Sequence, residues 1–137
     1  KYLARADVLA LSSHYEGTPN VIVEAIALGV PVVSCHCTDG VVELMGNSDR
    51  AGFTTPRELE AGIVTPPLAG SRDDMTDKTP LTPAEVELAD ALWAVLESPR
   101  YRDAVRVNRG LLLEKFDLAR SAQAYLAQVT KAVAGHD

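Results

Sequence analysis

The sequence predicts an α/β fold: a small parallel sheet of about three strands flanked by helices, with a helical segment toward the C-terminal end. Three observations predict it. Short apolar runs, "DVLALSS" and "PVVSC", bracket an apolar stretch of helical length, "VIVEAIAL". Turn-forming residues, "TPN" before that stretch and Gly29 after it, mark its two ends. From Thr82 onward, apolar residues recur at helical spacing to the end of the chain.

The run from Asp7 to Ser13 is short, apolar and closed by small polar residues, which suits a buried parallel strand. Asn20 is placed to cap a helix beginning at Val21, and Gly29 is a favourable residue just past its end. Pro31 then opens the second strand. Strand, crossover helix and parallel strand form a unit that winds right-handed. A short helix around "GVVELM" and a third strand at Ile63 and Val64 complete residues 1–65.

The stretch 66–82 is Pro-rich, polar and unpatterned. A loop of that length is uncommon inside a compact domain, and it reads as a mobile excursion rather than a lid. Residues 83–137 are expected to hold three helices. The first opens on a capping box, with Thr82 as cap, Pro83 at the first helical position and Glu85 reaching back. Its apolar face is Val86, Ala89, Leu92, Trp93 and Leu96, with Trp93 as a core anchor. The second follows Ser98 and Pro99 and carries Tyr101, Val105 and Leu112. The third starts at Asp117, with Ala122, Tyr125, Leu126 and Val129 on one side.

Composition narrows the function classes. The 137 residues suffice for one domain with a real core, and a hydrophobic share of 47% fits a globular protein. No apolar run is long enough to span a bilayer. The start, "KYLARADVLAL", lacks an initiator Met and is not shaped like a signal peptide. The chain is therefore expected to be a piece of a longer, cytoplasmic polypeptide. A net charge of −6 and 13 scattered basic residues argue against binding to a phosphate backbone, so no nucleic acid is expected. The mild cluster Arg100, Arg102, Arg106 and Arg109 reads as the solvated face of a helix.

Cys35 and Cys37 flank His36 in "SCHC". A metal site would need further ligands at suitable spacing, and His14 and His136 offer none, so no metal is expected. Cys35 continues an apolar strand and reads as a small buried hydrophobe.

The helix after Asn20 begins where the first strand ends, at the edge of a parallel sheet where ligands bind. A helix N-terminus leaves backbone N–H groups unpaired and carries partial positive charge, so it suits an anion such as a diphosphate. Pro19 has no N–H, which leaves the amides of Asn20 and Val21 as donors. Gly17 permits close approach of a ligand to the backbone. Glu24 reads as an opening-turn carboxylate with apolar flanks, Val21, Ile22, Val23, Ala25 and Ile26. Paired hydroxyls, such as those of a ribose, would satisfy both of its oxygens. The alternative is a Glu at the solvent edge that only favours the helix dipole. Glu16, in the loop before the helix, could meet sugar hydroxyls or developing positive charge; the alternative is an exposed loop acid.

Glu16, seven intervening residues and Glu24 resemble the E-x7-E motif of retaining GT-B glycosyltransferases. The wider strings "ADVLALSS" and "YEGTPNVIVEAIALGVPVVSC", a Gly turn and then Glu43 are similar to the glycosyltransferase family 4 pattern. The likeness continues through "AGIVTPP", "LESP" and "EKFDLARSAQAYL". It is specific from Ala6 to Glu43 and generic in the C-terminal helices.

This resemblance implies a partial Rossmann-like domain, the C-terminal donor-binding part of the enzyme. Its ligand would be a nucleotide-diphosphate sugar, with no metal or further cofactor. Glu24 would hydrogen-bond the ribose, and the Asn20 and Val21 amides would hold the diphosphate beside Pro19. Glu16 would contact the donor sugar in a catalytic role, with Gly17 and Thr18 beside it. The reaction implied is sugar transfer with retention at the anomeric carbon, in glycan or glycolipid synthesis. The family's upstream Gly-rich loop, its Arg/Lys pair and its N-terminal domain have no counterpart in these residues. The acceptor, a sugar or lipid-linked sugar, would bind that other domain, which could place the full-length enzyme at a membrane surface. The fragment alone is expected to be inactive and to self-associate through an exposed sheet edge. Two other readings stand beside this one: a GT-B sugar-nucleotide epimerase or phosphorylase, and a nonenzymatic interaction module.

Overall fold

The structure, a computed structural model, describes residues 1–46, 54–68 and 80–134. A 3₁₀ turn at Leu3–Arg5 leads into β1 (Leu9–Leu11), α1 (Asn20–Leu28), β2 (Val32–Cys35) and α2 (Asp39–Met45). Then come β3 (Arg57–Leu59), β4 (Gly62–Thr65), α3 (Pro83–Glu97) and α4 (Arg100–Leu113). A second 3₁₀ turn, Glu114–Phe116, precedes α5 (Leu118–Ala134). The sheet order is β1-β2-β4-β3. Strands β1, β2 and β4 are parallel, with Leu9 beside Val32 and Val32 beside Gly62, while β3 runs antiparallel to β4.

The expected α/β architecture is therefore present, with one strand more than the sequence announces. Strand β3, "REL", has three residues, two of them charged, and is too short for an alternating pattern to register. Strand β2 is buried along its whole length, and its successive side chains point to opposite faces. Val32 joins a core built with Ile22 and Ile26 of α1, Val41 and Met45 of α2, and Val105 and Leu112 of α4. Val33 faces the other way, packing with Ile63, Ala91, Val95 and Tyr101 beneath α3. The sheet thus lies between two helical layers. Helix α1 ends at Gly29, whose φ of 71° is the left-handed conformation that glycine adopts without steric cost. The capping box at the start of α3 forms as expected: Thr82 N–H donates to Glu85 Oε2 at 2.6 Å, and Glu85 N–H donates to Thr82 Oγ1 at 3.3 Å.

Several expectations need correction. Strand β1 is only half-buried, because it lies at the edge of the described sheet with β2 on one side alone. Asn20 does not cap α1; it is the first helical residue, Pro19 occupies the cap position, and no side chain bonds there. On α3, Trp93 is 63% exposed rather than a core anchor, and Val86, Ala89 and Leu96 are also exposed. Two stripes of helical spacing compete on that helix. The sheet takes the one with small residues, Ala91 and Val95 flanked by Leu88 and Leu92, which lets the helix sit close over Val33 and Ile63. The face Ala122, Tyr125, Leu126 and Val129 of α5 is exposed as well. The expected excursion falls largely on residues 69–79, outside the described residues.

Helix α4 is anchored as the sequence implies. Tyr101, Val105 and Leu112 are buried, and the arginine face remains largely solvated. Two of those arginines also tie the helix down. Arg102 bridges to Asp7 Oδ1 at 3.1 Å and to the Ala6 and Asp7 carbonyls, fixing the entry to β1. Arg100 and the Tyr101 hydroxyl both donate to Glu58 Oε1, at 2.6 and 2.7 Å, which joins α4 to β3.

Candidate functional site

Because β1, β2 and β4 are parallel, their C-terminal ends share one edge of the sheet, and the loops 12–19 and 36–38 leave from it. This is the edge where open parallel sheets bind ligands. Two bonds stitch these loops together. The Cys35 thiol donates to the Ser13 carbonyl at 3.0 Å, and the Ser13 hydroxyl donates to Glu16 Oε1 at 2.7 Å. Glu16 is therefore a half-buried carboxylate held in one orientation, rather than a freely waving loop acid.

The chain turns sharply after β2. His36 N–H continues the ladder to the Thr65 carbonyl at 2.8 Å, and Cys37 N–H then bonds back to the Cys35 carbonyl at 2.9 Å. Burial pushes the Cys37 thiol above its ordinary pKa, and the Glu16 carboxylate adds to that shift. Burial also raises the Cys35 thiol, with Cys37 contributing. Both cysteines are free thiols, and Cys35 is buried as expected. His36 Nε2 lies 3.6 Å from Asp39 Oδ1 in the first turn of α2.

Helix α1 opens at the same edge. Its first backbone bond runs from Ile22 N–H to the Pro19 carbonyl at 3.0 Å. The amides of Asn20 and Val21 precede it, in the part of a helix that has no intrahelical acceptors. Pro19 is buried, which fixes the angle at which the loop enters the helix.

Glu24 departs from the sequence expectation in its position, and in its exposure it matches the second of the two readings. It is the fifth residue of α1, and the first turn holds no acid, so the dipole's influence on it is reduced. It is also exposed, since Ile22, Ala25 and Ile26 occupy the buried face. Solvation of its charge is therefore not an energetic problem that a ligand must solve. Asn20, Glu24 and Leu28 share the exposed face at four-residue spacing. Glu24 thus lies one turn along α1 from Asn20, and it takes no part in the bonded cluster around Glu16.

Thr18 borders a cavity of about 260 Å³ whose other walls are Gly40, Glu43 and Leu44 of α2 and Lys115 and Phe116 of the second 3₁₀ turn. The Lys115 ammonium donates to the Glu43 carbonyl, and burial lowers its pKa. Sequence reasoning gave Lys115 and Phe116 no place near Thr18. They reach it only through the packing of α4 against α1, which no local spacing encodes.

Residues 1–66 match the family model described as glycosyl transferases group 1. An uncharacterized glycosyltransferase of Methanocaldococcus jannaschii is 33% identical over 129 residues, which is 88% of this chain and 30% of that protein. A Bacillus subtilis glycosyltransferase, provisionally named for teichuronic acid biosynthesis, is 51% identical over 62 residues, 44% of this chain and 15% of that protein. An uncharacterized glycosyltransferase of Haemophilus influenzae is 30% identical over 59 residues, 43% of this chain and 17% of that protein. The chain spans less than a third of the length of each of these relatives. No solved structure gives a significant match. Among the described residues, no helix is long and apolar enough to cross a membrane. Residues 1–66, with their α/β fold and the loop bearing Glu16 at the carboxyl edge of the sheet, are thus similar to the glycosyl transferases of group 1.

Proposed function

We propose that this chain forms the donor-binding part of a retaining glycosyltransferase of the GT-B type. Its donor would be a nucleotide-diphosphate sugar. The observation that carries the reading is the fixed Glu16 carboxylate, held by Ser13 at the edge where α1 begins, with Glu24 eight positions on along the exposed face of that helix. The diphosphate accepts from the Asn20 and Val21 amides, where the helix dipole favours negative charge. Glu24 accepts from the ribose hydroxyls one turn further along α1, while Gly17 and Thr18 give the sugar room beside Glu16. Glu16 accepts from the donor-sugar hydroxyls and faces the positive charge that develops at the anomeric carbon. Chemistry of this kind rests on positioning and on electrostatic stabilisation of the leaving diphosphate.

The other half of the cleft, including the acceptor site, belongs to parts of the longer protein. The acceptor is a sugar or lipid-linked sugar, and the intact enzyme works in the cytoplasm or at the inner face of a membrane. Isothermal titration of the intact parent with UDP and GDP tests the ribose contact. Loss of two hydrogen bonds to a charged acceptor should weaken the preferred nucleotide roughly ten- to hundredfold in Glu24→Ala. Equal affinity in the two proteins would remove Glu24 from the site.

A further inference from the structure

Gly40 is the second residue of α2, and its φ is not in the left-handed region, so conformational freedom does not explain a glycine there. Glycine is also among the poorest helix formers. Close approach does explain it. A Cβ at Gly40 would lie 2.9 Å from the carbonyl oxygen of Gly17, tighter than carbon and oxygen tolerate. The obstacle is backbone, so no side-chain rotation relieves it.

Of the two partners, only the loop can yield. Val41, Val42, Leu44 and Met45 bury α2 in the core, whereas Gly17 is exposed and has nothing within 4 Å of its own Cβ position. The contacted carbonyl adjoins Glu16, whose carboxylate is oriented by Ser13. We infer that Gly40 is a positioning residue: the bare backbone of α2 is the floor on which the Glu16–Gly17 loop rests, and it sets where the Glu16 carboxylate stands. The inference rests on the reading of Glu16 as the group that meets the donor sugar. It adds that the first turn of α2, which need not touch the sugar, governs how well that group is aimed.

The test is a double-mutant cycle in the intact parent enzyme, with Gly40→Ala, Glu16→Gln and the pair assayed for sugar transfer. Alanine at position 40 favours the helix itself, and the displaced loop is at the surface, so the melting temperature should hold. Misplacing a catalytic group by a fraction of an ångström to one ångström should lower kcat by roughly ten- to hundredfold in Gly40→Ala, with a smaller change in KM for the donor. The double variant should lose no more than Glu16→Gln alone, because both act through one group. Full activity in Glu16→Gln would overturn the reading of Glu16 and this inference with it. An impaired Glu16→Gln beside a fully active Gly40→Ala, or losses that multiply in the double variant, would overturn the inference alone. So would a Gly40→Ala protein that melts early, since the loop would then be part of the core rather than resting on it.

Discussion

Helices α4 and α5 carry the same sequence signal and meet opposite fates. Each has bulky apolar residues at helical spacing: Tyr101, Val105 and Leu112 on one, Tyr125, Leu126 and Val129 on the other. In α4 those residues are buried against α1 and the sheet, and in α5 they are exposed. Periodicity reports that a helix has an apolar face, not what covers it. What separates the two is the set of long-range ties on α4: Arg102 to the entry of β1, and Arg100 and Tyr101 to Glu58 of β3. The ties described around the start of α5 are local, Asp117 Oδ1 accepting from Arg120 N–H at 2.8 Å and an Arg120–Glu114 ion pair, apart from the Lys115 bond to the Glu43 carbonyl in the preceding 3₁₀ turn.

Truncating equivalent leucines should expose the difference most strongly. Leu112→Ala, at 5% exposure, should cost about 2–5 kcal/mol in urea or guanidinium unfolding, whereas Leu126→Ala, at 61%, should stay within about 0.5 kcal/mol. Equal losses would mean that α5 is as well anchored as α4.

The Tyr101 tie gives a smaller, pH-dependent effect. Tyr101→Phe should cost about 1 kcal/mol. Burial raises the pKa of the Tyr101 hydroxyl, and its bond to Glu58 raises it further. A raised folded-state pKa means that the folded chain holds its proton where the unfolded chain, titrating near pH 10, has lost it. The Tyr101 contribution should therefore be complete below about pH 10 and decline above it. Unfolding titrations from pH 8 to 11 should show that decline flattened in Tyr101→Phe.

The smallest change should be a gain. Gly110 lies within α4, and a Cβ there meets nothing within 4 Å, so Gly110→Ala should stabilise by about 0.5–1 kcal/mol. A loss on thermal melting would show that this part of α4 depends on a bend or a neighbour absent from the described contacts.

The same contrast explains what could be read from the sequence. Where a local signal is set by neighbouring residues, the structure is legible in the sequence. The β1–α1–β2 unit, the Gly29 stop and the Thr82–Glu85 box belong to this group, and the apolar face of α4 is legible too, although what covers it comes from far along the chain. Where the outcome depends on what packs from far along the chain, local spacing is a poorer guide. Trp93 lost its place to Ala91 and Val95 because only the small residues fit closely over the sheet, and α5 had a face without an evident cover. Glu24 stands one residue further along α1 than the expected start places it, and of its two readings the exposed one holds. Apolar neighbours in sequence do not surround a residue on a helix, because side chains three or four apart share a face and adjacent ones do not. At the site, the Glu16 and Glu24 spacing was plain in the sequence. The Ser13 and Cys35 bonds that fix the loop, and the bare backbone of Gly40 beneath it, required three dimensions.

The central claim is that the start of α1 seats a diphosphate while Glu16 and Glu24 hold the sugars on its two sides. Its most direct test is a crystal structure of the intact parent enzyme soaked with UDP or GDP, whichever binds. The account predicts phosphate oxygens within hydrogen-bond reach, about 2.7–3.2 Å, of the Asn20 and Val21 amides, and ribose hydroxyls on Glu24. A nucleotide bound elsewhere, with Glu24 still facing solvent and the start of α1 empty, would contradict it.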